Sequence, residues 1–374
     1  MKENNYFVGI ITMHKVLNYG SALQAFALQH ILNTWNIKNE IIDYIFPRKS
    51  KKTCKDLFLY FLSNLILGFA KSRKKKRFKT FYSRYYRCSK NCFYNNSDLV
   101  KAKFKYNFYI TGSDQVWNPK HVKNDLSFLL NFVNDDIPKI SYAASVSPAV
   151  ITTQYKNIYR YYLKQYKNIS VRELSGVNLI KELIDKNDVY QVCDPTFLLT
   201  KNEWSRMCRF SKIKINKPYI LVYVLSYSYN PYPDINFIID WVYKNLGYKL
   251  VILDGGIKDY QKKDVLIIKD AGPIEFINLI HSASFVITTS FHGTAFALNM
   301  EIPFFSVIKS YSGHDTRILD LLIQTKEEKR AILYTEKNIT TSLDMDFSST
   351  RKIIDAIRKR SIIYLQKSLK FDRV

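Results

Sequence analysis

Apolar and polar positions alternate in blocks along this 374-residue chain. Val8 to Thr12 is a short continuous apolar run and reads as a strand buried on both faces. Ser21 to Trp35 places Leu23, Ala27, Leu28 and Ile31 at helical spacing, which predicts a helix with one apolar side. Glu40 to Ile45 then returns to strand character. The alternation continues with strands at Phe108 to Thr111 and Lys139 to Ala143, a helix near Tyr155 to Tyr166, a strand at Ile169 to Val171, a helix over Glu173 to Ile184 and a strand at Val189 to Val192. Strands alternating with helices predict a parallel sheet covered on both faces.

The polar stretch Ser211 to Pro218 interrupts the pattern and reads as a linker. Beyond it come a strand at Tyr219 to Leu225, a helix near Ile235 to Asn245, strands at Leu250 to Leu253 and Val265 to Ile268, and a helix at Pro273 to Ile280. A strand at Phe285 to Thr288, a helix at Thr294 to Met300 and a strand at Phe304 to Val307 follow. The expected fold is α/β, with two Rossmann-like domains, 1–210 and 211–374, facing each other across a cleft. A last helix at about 349–369 is expected to pack back on the first domain. In sheets of this kind ligands bind beyond the carboxyl ends of the strands, so the loops there carry the candidate chemistry.

Charge changes this picture. Lys+Arg 57 against Asp+Glu 32 gives +25, which calls for an anionic partner or surface. From Arg48 to Lys90 the chain carries 15 basic residues and one acid, Asp56, or +14. Inside this stretch lies a 14-residue apolar run, Leu57 to Ala70, followed at once by Lys71-Ser72-Arg73-Lys74-Lys75-Lys76-Arg77. Fourteen helical residues span about 21 Å, short of the roughly 20 residues that a bilayer needs. An apolar helix with basic flanks suits attachment to an anionic membrane surface, so 48–90 is expected to be a membrane-facing insertion of the first domain. A core helix with a solvated basic tail would carry the same pattern. A charge cluster without a base-reading module gives no reason to expect nucleic acid.

The first residues, Met1-Lys2-Glu3-Asn4-Asn5, run straight into a strand without an apolar export signal, so a cytoplasmic protein attached peripherally to the inner face of the plasma membrane is expected. Five widely spaced cysteines suggest neither a disulfide framework nor a structural metal site, and no metal is expected.

Four loops stand at predicted strand ends. Asn18-Tyr19-Gly20-Ser21 opens a helix whose first N–H groups can hold an anion. Thr111-Gly112-Ser113-Asp114-Gln115-Val116-Trp117-Asn118-Pro119 offers hydrogen-bonding side chains suited to a polyol or phosphate. Ser170-Val171-Arg172-Glu173 places a guanidinium fork at a strand-to-helix turn, where it can meet a carboxylate or phosphate. Thr288-Thr289-Ser290-Phe291-His292-Gly293-Thr294 ends a strand in hydroxyls and a histidine, the side chain best suited to proton transfer near neutral pH.

These four loops, together with Asp194-Pro195-Thr196 and in this order from about residue 6 to 325, resemble the polysaccharide pyruvyltransferase family. The resemblance implies a GT-B-like fold and transfer of the pyruvyl group of phosphoenolpyruvate to a sugar of a cell-surface polysaccharide or its lipid-linked precursor, as a ketal. Phosphoenolpyruvate would be the donor substrate and no further cofactor is implied. His292 would be the acid–base group, with Arg172 and Asp114 as its catalytic partners. Arg172, Ser290, Gly293, Thr294, Lys309 and Arg317 would meet the donor anion, and Asn18, Gly20, Ser21, Ser113 and Trp117 the acceptor. Characterised members usually carry an arginine two residues before the histidine, where this chain has Ser290. Either Arg172, Lys309 or Arg317 covers that charge, or the donor differs. A glycosyltransferase using a nucleotide-sugar donor and a non-catalytic scaffold of a glycan assembly complex share the expected fold.

Overall fold

The computed structural model describes residues 6–46, 54–123, 125–147, 150–226, 229–254, 265–312 and 316–370, with the backbone alone for 54–68 and 316. The chain divides into two compact units: Met1–Ser50, Tyr82–Leu199 and Asp355–Val374 form the first, and Lys51–Phe81 with Thr200–Ile354 the second.

In the first unit, β1 (Phe7–Ile11), β2 (Lys38–Tyr44), β3 (Cys88–Phe93), β4 (Phe108–Thr111), β5 (Lys139–Ser141), β6 (Tyr166–Val171) and β7 (Val189–Gln191) build one parallel sheet in the order β3-β2-β1-β4-β5-β6-β7. The apolar runs at its centre explain that order. Ile10 stands opposite Ile41 on one side and Ile110 on the other, and all three are fully buried. Around the sheet lie α1 (Tyr19–Thr34), the end of α2 (Cys54–Tyr85), α3 (Asn96–Lys101), α4 (Pro119–Val122), α5 (Thr153–Lys164) and α6 (Leu174–Ile184).

Two elements depart from the sequence expectation. Helix α1 is not one-sided: thirteen of its sixteen residues are buried, because it packs on β2 and is also covered by the turn Pro195–Phe197. Strand β3, Cys-Ser-Lys-Asn-Cys-Phe, has no apolar alternation because it is a half-exposed edge strand.

The second unit repeats the plan. β8 (Tyr219–Tyr223), β9 (Lys249–Leu253), β10 (Val265–Ile268), β11 (Phe285–Thr288), β12 (Phe304–Ile308) and β13 (Ala331–Leu333) form a parallel sheet in the order β10-β9-β8-β11-β12-β13. Its helices are α7 (Lys201–Cys208), α8 (Ile235–Leu246), α9 (Pro273–His281), α10 (Phe291–Met300), α11 (Thr316–Thr325) and the start of α12 (Ser348–Ser368). From Asp355 onward α12 belongs to the first unit, where Ser361 Oγ accepts from Cys193 N at 2.9 Å and Tyr364 donates to Ser141 O at 3.0 Å.

The basic segment groups differently from the sequence expectation. Helix α2 up to Phe81 groups with the second unit rather than projecting from the first. Arg73 pairs with Asp270 at 2.8 Å, Lys74 with Asp254 at 2.7 Å, and Arg77 with Asp270 at 3.3 Å and Glu275 at 3.7 Å. Gly272, which caps α9, approaches so closely that an added Cβ would lie 2.6 Å from Arg77 Cβ. Phe78 and Phe81 are buried beneath. Arg73, Lys74 and Arg77, expected to face lipid, therefore brace the protein against its own acids. The apolar side chains from Leu57 to Gly68 and the cations from Arg48 to Lys55 lie outside the described side chains. Among the described residues no helix is long and apolar enough to cross a membrane.

Phe78 is a fully buried apolar side chain of α2. Phe78→Ala should lower stability by about 3–5 kcal/mol, read as an earlier urea transition of the second unit.

Candidate functional site

The first unit gathers four of the five sequence motifs at the carboxyl end of its sheet. Asn18 caps α1, its side chain accepting from Ser21 N at 3.1 Å, and Gly20 and Ser21 are buried in the first turn. The Ser21 hydroxyl donates to Asp114 Oδ2, and Gln115 N donates to Oδ1 of the same carboxylate at 2.8 Å. Asp114 sits at φ +77°, a left-handed conformation that an aspartate adopts in tight turns. Two donors and a constrained backbone thus fix one carboxylate just past β4, with 9% of the residue exposed.

Beneath it runs a buried network. Ser113 Oγ lies 3.3 Å from Asp194 Oδ2, while Asp194 Oδ1 accepts from Thr196 N and Oγ1 at 2.9 and 2.8 Å. Arg172 donates through Nη1 to Asp194 Oδ2 and through Nε to Glu173 Oε1, both at 2.9 Å, and Ser145 Oγ reaches the same Glu173 oxygen at 2.8 Å. Glu173 Oε2 is buried with no hydrogen bond among the described residues. Burial opposes a charge on Arg172, yet Glu173, Asp194 and Asp114 more than offset it and hold the guanidinium firmly protonated.

This placement corrects two expectations. Arg172 presents no open fork: it is 3% exposed and its Nε and Nη1 already hold carboxylates of its own chain. Trp117, expected to face the acceptor, is fully buried; its indole donates to Phe128 O at 3.0 Å and meets the edge of Tyr166 at 5.5 Å. It anchors the loop from below, in the core. Glu173 and Ser145 carry the network unforeseen, although both follow strand ends and satisfy the positional criterion that selected Arg172.

In the second unit β11 delivers Thr288, Thr289 and Ser290 to the start of α10. Ser290 is the N-cap, accepting from Gly293 N at 3.3 Å. Thr288 Oγ1 donates to Tyr223 O at 2.7 Å and accepts from Ser290 N at 3.0 Å, and an added Cβ on Gly293 would lie 2.4 Å from it. Only glycine fits. Thr294 Oγ1 is pinned inside, 3.1 Å from Ser290 O and 2.7 Å from Ser306 Oγ. His292, 7% exposed, stands in the first turn with its ring edge-on to Phe291 at 5.1 Å. Lys309 follows β12 and Arg317 opens α11; because β11 and β12 are parallel neighbours, Ser290 and Lys309 leave the same end of the sheet.

The family model for polysaccharide pyruvyl transferase matches residues 18–310. The chain belongs to that family. The match begins at Asn18 and takes in every site residue except Arg317. Membership supports a transferase with a polysaccharide acceptor. No curated protein matches the chain. Among solved structures it is similar to the UDP-GlcNAc 2-epimerase of Methanocaldococcus jannaschii in complex with UDP-GlcNAc and UDP, at 12% identity and TM-score 0.53 over 94% of this chain and 99% of that one. It is also similar to the UDP-GlcNAc 2-epimerase of Neisseria meningitidis bound to UDP-GlcNAc, at 12% identity and TM-score 0.50 over 98% and 93%. At such identity the likeness shows the fold, a GT-B-like α/β architecture of two Rossmann-like units.

Two substitutions test how this pyruvyl transferase family member holds its loops. Asp194→Ala leaves Arg172 buried with one carboxylate fewer and should cost about 3–5 kcal/mol in chemical denaturation. Gly293→Ala should cost about 1–3 kcal/mol, because the Thr288 hydroxyl it would displace is held on two sides.

Proposed function

We propose that the chain transfers the pyruvyl group of phosphoenolpyruvate to two hydroxyls of one sugar in a cell-surface polysaccharide or its lipid-linked precursor. One methylene carbon is protonated, one hydroxyl adds to the central carbon, phosphate departs and the second hydroxyl closes the ketal. The products are the ketal and inorganic phosphate. His292 supplies and removes the proton. Lys309 and Arg317, with Ser290 and Gly293 at the start of α10, receive the donor's carboxylate and phosphate, where the helix N-terminus adds positive potential, and the buried Thr294 braces that turn from inside. Asn18, Gly20, Ser21 and Ser113 frame the acceptor loop, and Asp114 takes the sugar proton. Arg172 acts behind them as a positioning residue that holds Asp194 in place and sets its charge near Asp114.

What carries this reading is Asp114, a nearly buried carboxylate in a left-handed turn and held by Ser21 and Gln115, in a chain of this family. Folded His292→Ala and Asp114→Asn should each lower phosphate release from phosphoenolpyruvate by at least about 100-fold. Near-normal turnover in both would remove the assignment. Ser290, which stands where characterised relatives usually have an arginine, favours the second reading, a nucleotide-sugar donor. It predicts nucleoside diphosphate release instead.

The lipid-linked acceptor places the enzyme at the inner face of the plasma membrane. With Arg73, Lys74 and Arg77 engaged by acids, attachment falls to the cations of 48–55 and the adjoining apolar run. The full chain should sediment with anionic vesicles at low salt, and the combined variant Lys49→Ser, Lys51→Ser, Lys52→Ser should remain in solution.

A further inference from the structure

We propose that His14, Asp43 and Cys88 form a zinc site in the first unit. The three lie far apart in sequence, and parallel pairing of β1, β2 and β3 brings them together. His14 follows β1, Asp43 lies near the end of β2 and Cys88 opens β3. One ligating atom from each lies within 4.8 Å of the other two. The β2–β3 register shifts between Ile41 and Asp43, and Asp43 N donates to Ser89 Oγ at 2.9 Å, which fixes the carboxylate beside the opening of β3.

The donor set is nitrogen, oxygen and sulfur, which suits zinc over harder cations. Zinc holds such ligands at roughly 2.0–2.3 Å, so tetrahedral partners stand about 3.3–3.8 Å apart. The widest separation, within 4.8 Å, would close by about 1 Å, while the Nε2–Oδ1 pair, now 3.0 Å apart, would open by about 0.3 Å.

The hydrogen bonds of His14 point the same way. Its ring is fully buried; Nδ1 lies 3.1 Å from Thr12 O and Nε2 3.0 Å from Asp43 Oδ1. A carbonyl oxygen only accepts, so Nδ1 carries its hydrogen. Nε2 then faces Asp43 Oδ1, so a nitrogen and an oxygen donor converge on one point. Nδ1–H on a backbone carbonyl orients the ring as in other metal-bound histidines.

Lys15 Nζ holds the other oxygen, Asp43 Oδ2, at 2.5 Å, leaving Oδ1 for the metal and balancing part of the carboxylate and thiolate charge. The Tyr86 ring covers His14 at 5.9 Å between centroids, and its hydroxyl donates to Ala22 O at 2.7 Å, closing the site. Cys92, opposite Asp43 in the register, or water completes the tetrahedron. Such an ion ties three strands together and stabilises the folded state by mass action.

The test is titration of the chelator-treated full chain with Co2+ followed by displacement with Zn2+. One equivalent of Co2+ should give thiolate-to-metal absorption with the strong visible bands of a tetrahedral ion, and one equivalent of Zn2+ should abolish both. Folded Cys88→Ser should lose the thiolate band, and His14→Ala should weaken binding at least about 10-fold. Cys208→Ser, in the second unit, should leave both unchanged. No thiolate band in the parent chain, or one that persists in Cys88→Ser, overturns the proposal.

Discussion

The arrangement of the first unit depends on one buried cation. Arg172 stands at the end of β6 with almost no access to water, and its charge is tolerated because Glu173 and Asp194 meet it on two sides. A pair of this kind contributes little net stability against an apolar equivalent, but loss of either partner is costly because the remaining charge stays buried. Its effect is therefore to specify geometry. Through Asp194 it reaches Ser113 and Thr196, through Glu173 it reaches Ser145, and its field acts on Asp114, which holds Ser21. Loops after β1, β4, β5, β6 and β7 are set relative to one another by this network.

The second unit solves a similar problem with neutral groups. A glycine that tolerates contact with Thr288 lets α10 begin immediately after β11, so the Ser290 cap, His292 and Thr294 are placed by backbone geometry. The large positive charge of the chain also takes on a more specific meaning. Part of it is internal wiring, since Arg73, Lys74 and Arg77 of α2 pair with Asp254, Asp270 and Glu275.

Much of the fold was legible because parallel strands buried on both faces read as unbroken apolar runs. Phe108 to Thr111 and Phe285 to Thr288 have the same bounds in sequence and structure. Strand β3 was not legible, because an edge strand needs little apolar content, and the all-round burial of α1 depends on a turn far along the chain. The positions of the site loops were legible for a related reason, as strand ends locate them. Their pairings were not. Arg172 and Asp194 are 22 residues apart and His14 and Asp43 are 29 apart, separations set by whole helical crossovers rather than by any local pattern. An arginine at a strand-to-helix turn looks the same in sequence whether it greets a ligand or holds its own chain's carboxylates.

That difference can be measured directly in the kinetics of Arg172→Lys with phosphoenolpyruvate and acceptor. Lysine keeps the charge but cannot bridge two carboxylates with a fixed fork. If Arg172 organises the acceptor side, the folded variant shows a kcat reduced by about 10-fold or more with an unchanged KM for phosphoenolpyruvate. A raised KM for phosphoenolpyruvate at unchanged kcat would contradict this account and make Arg172 a donor ligand.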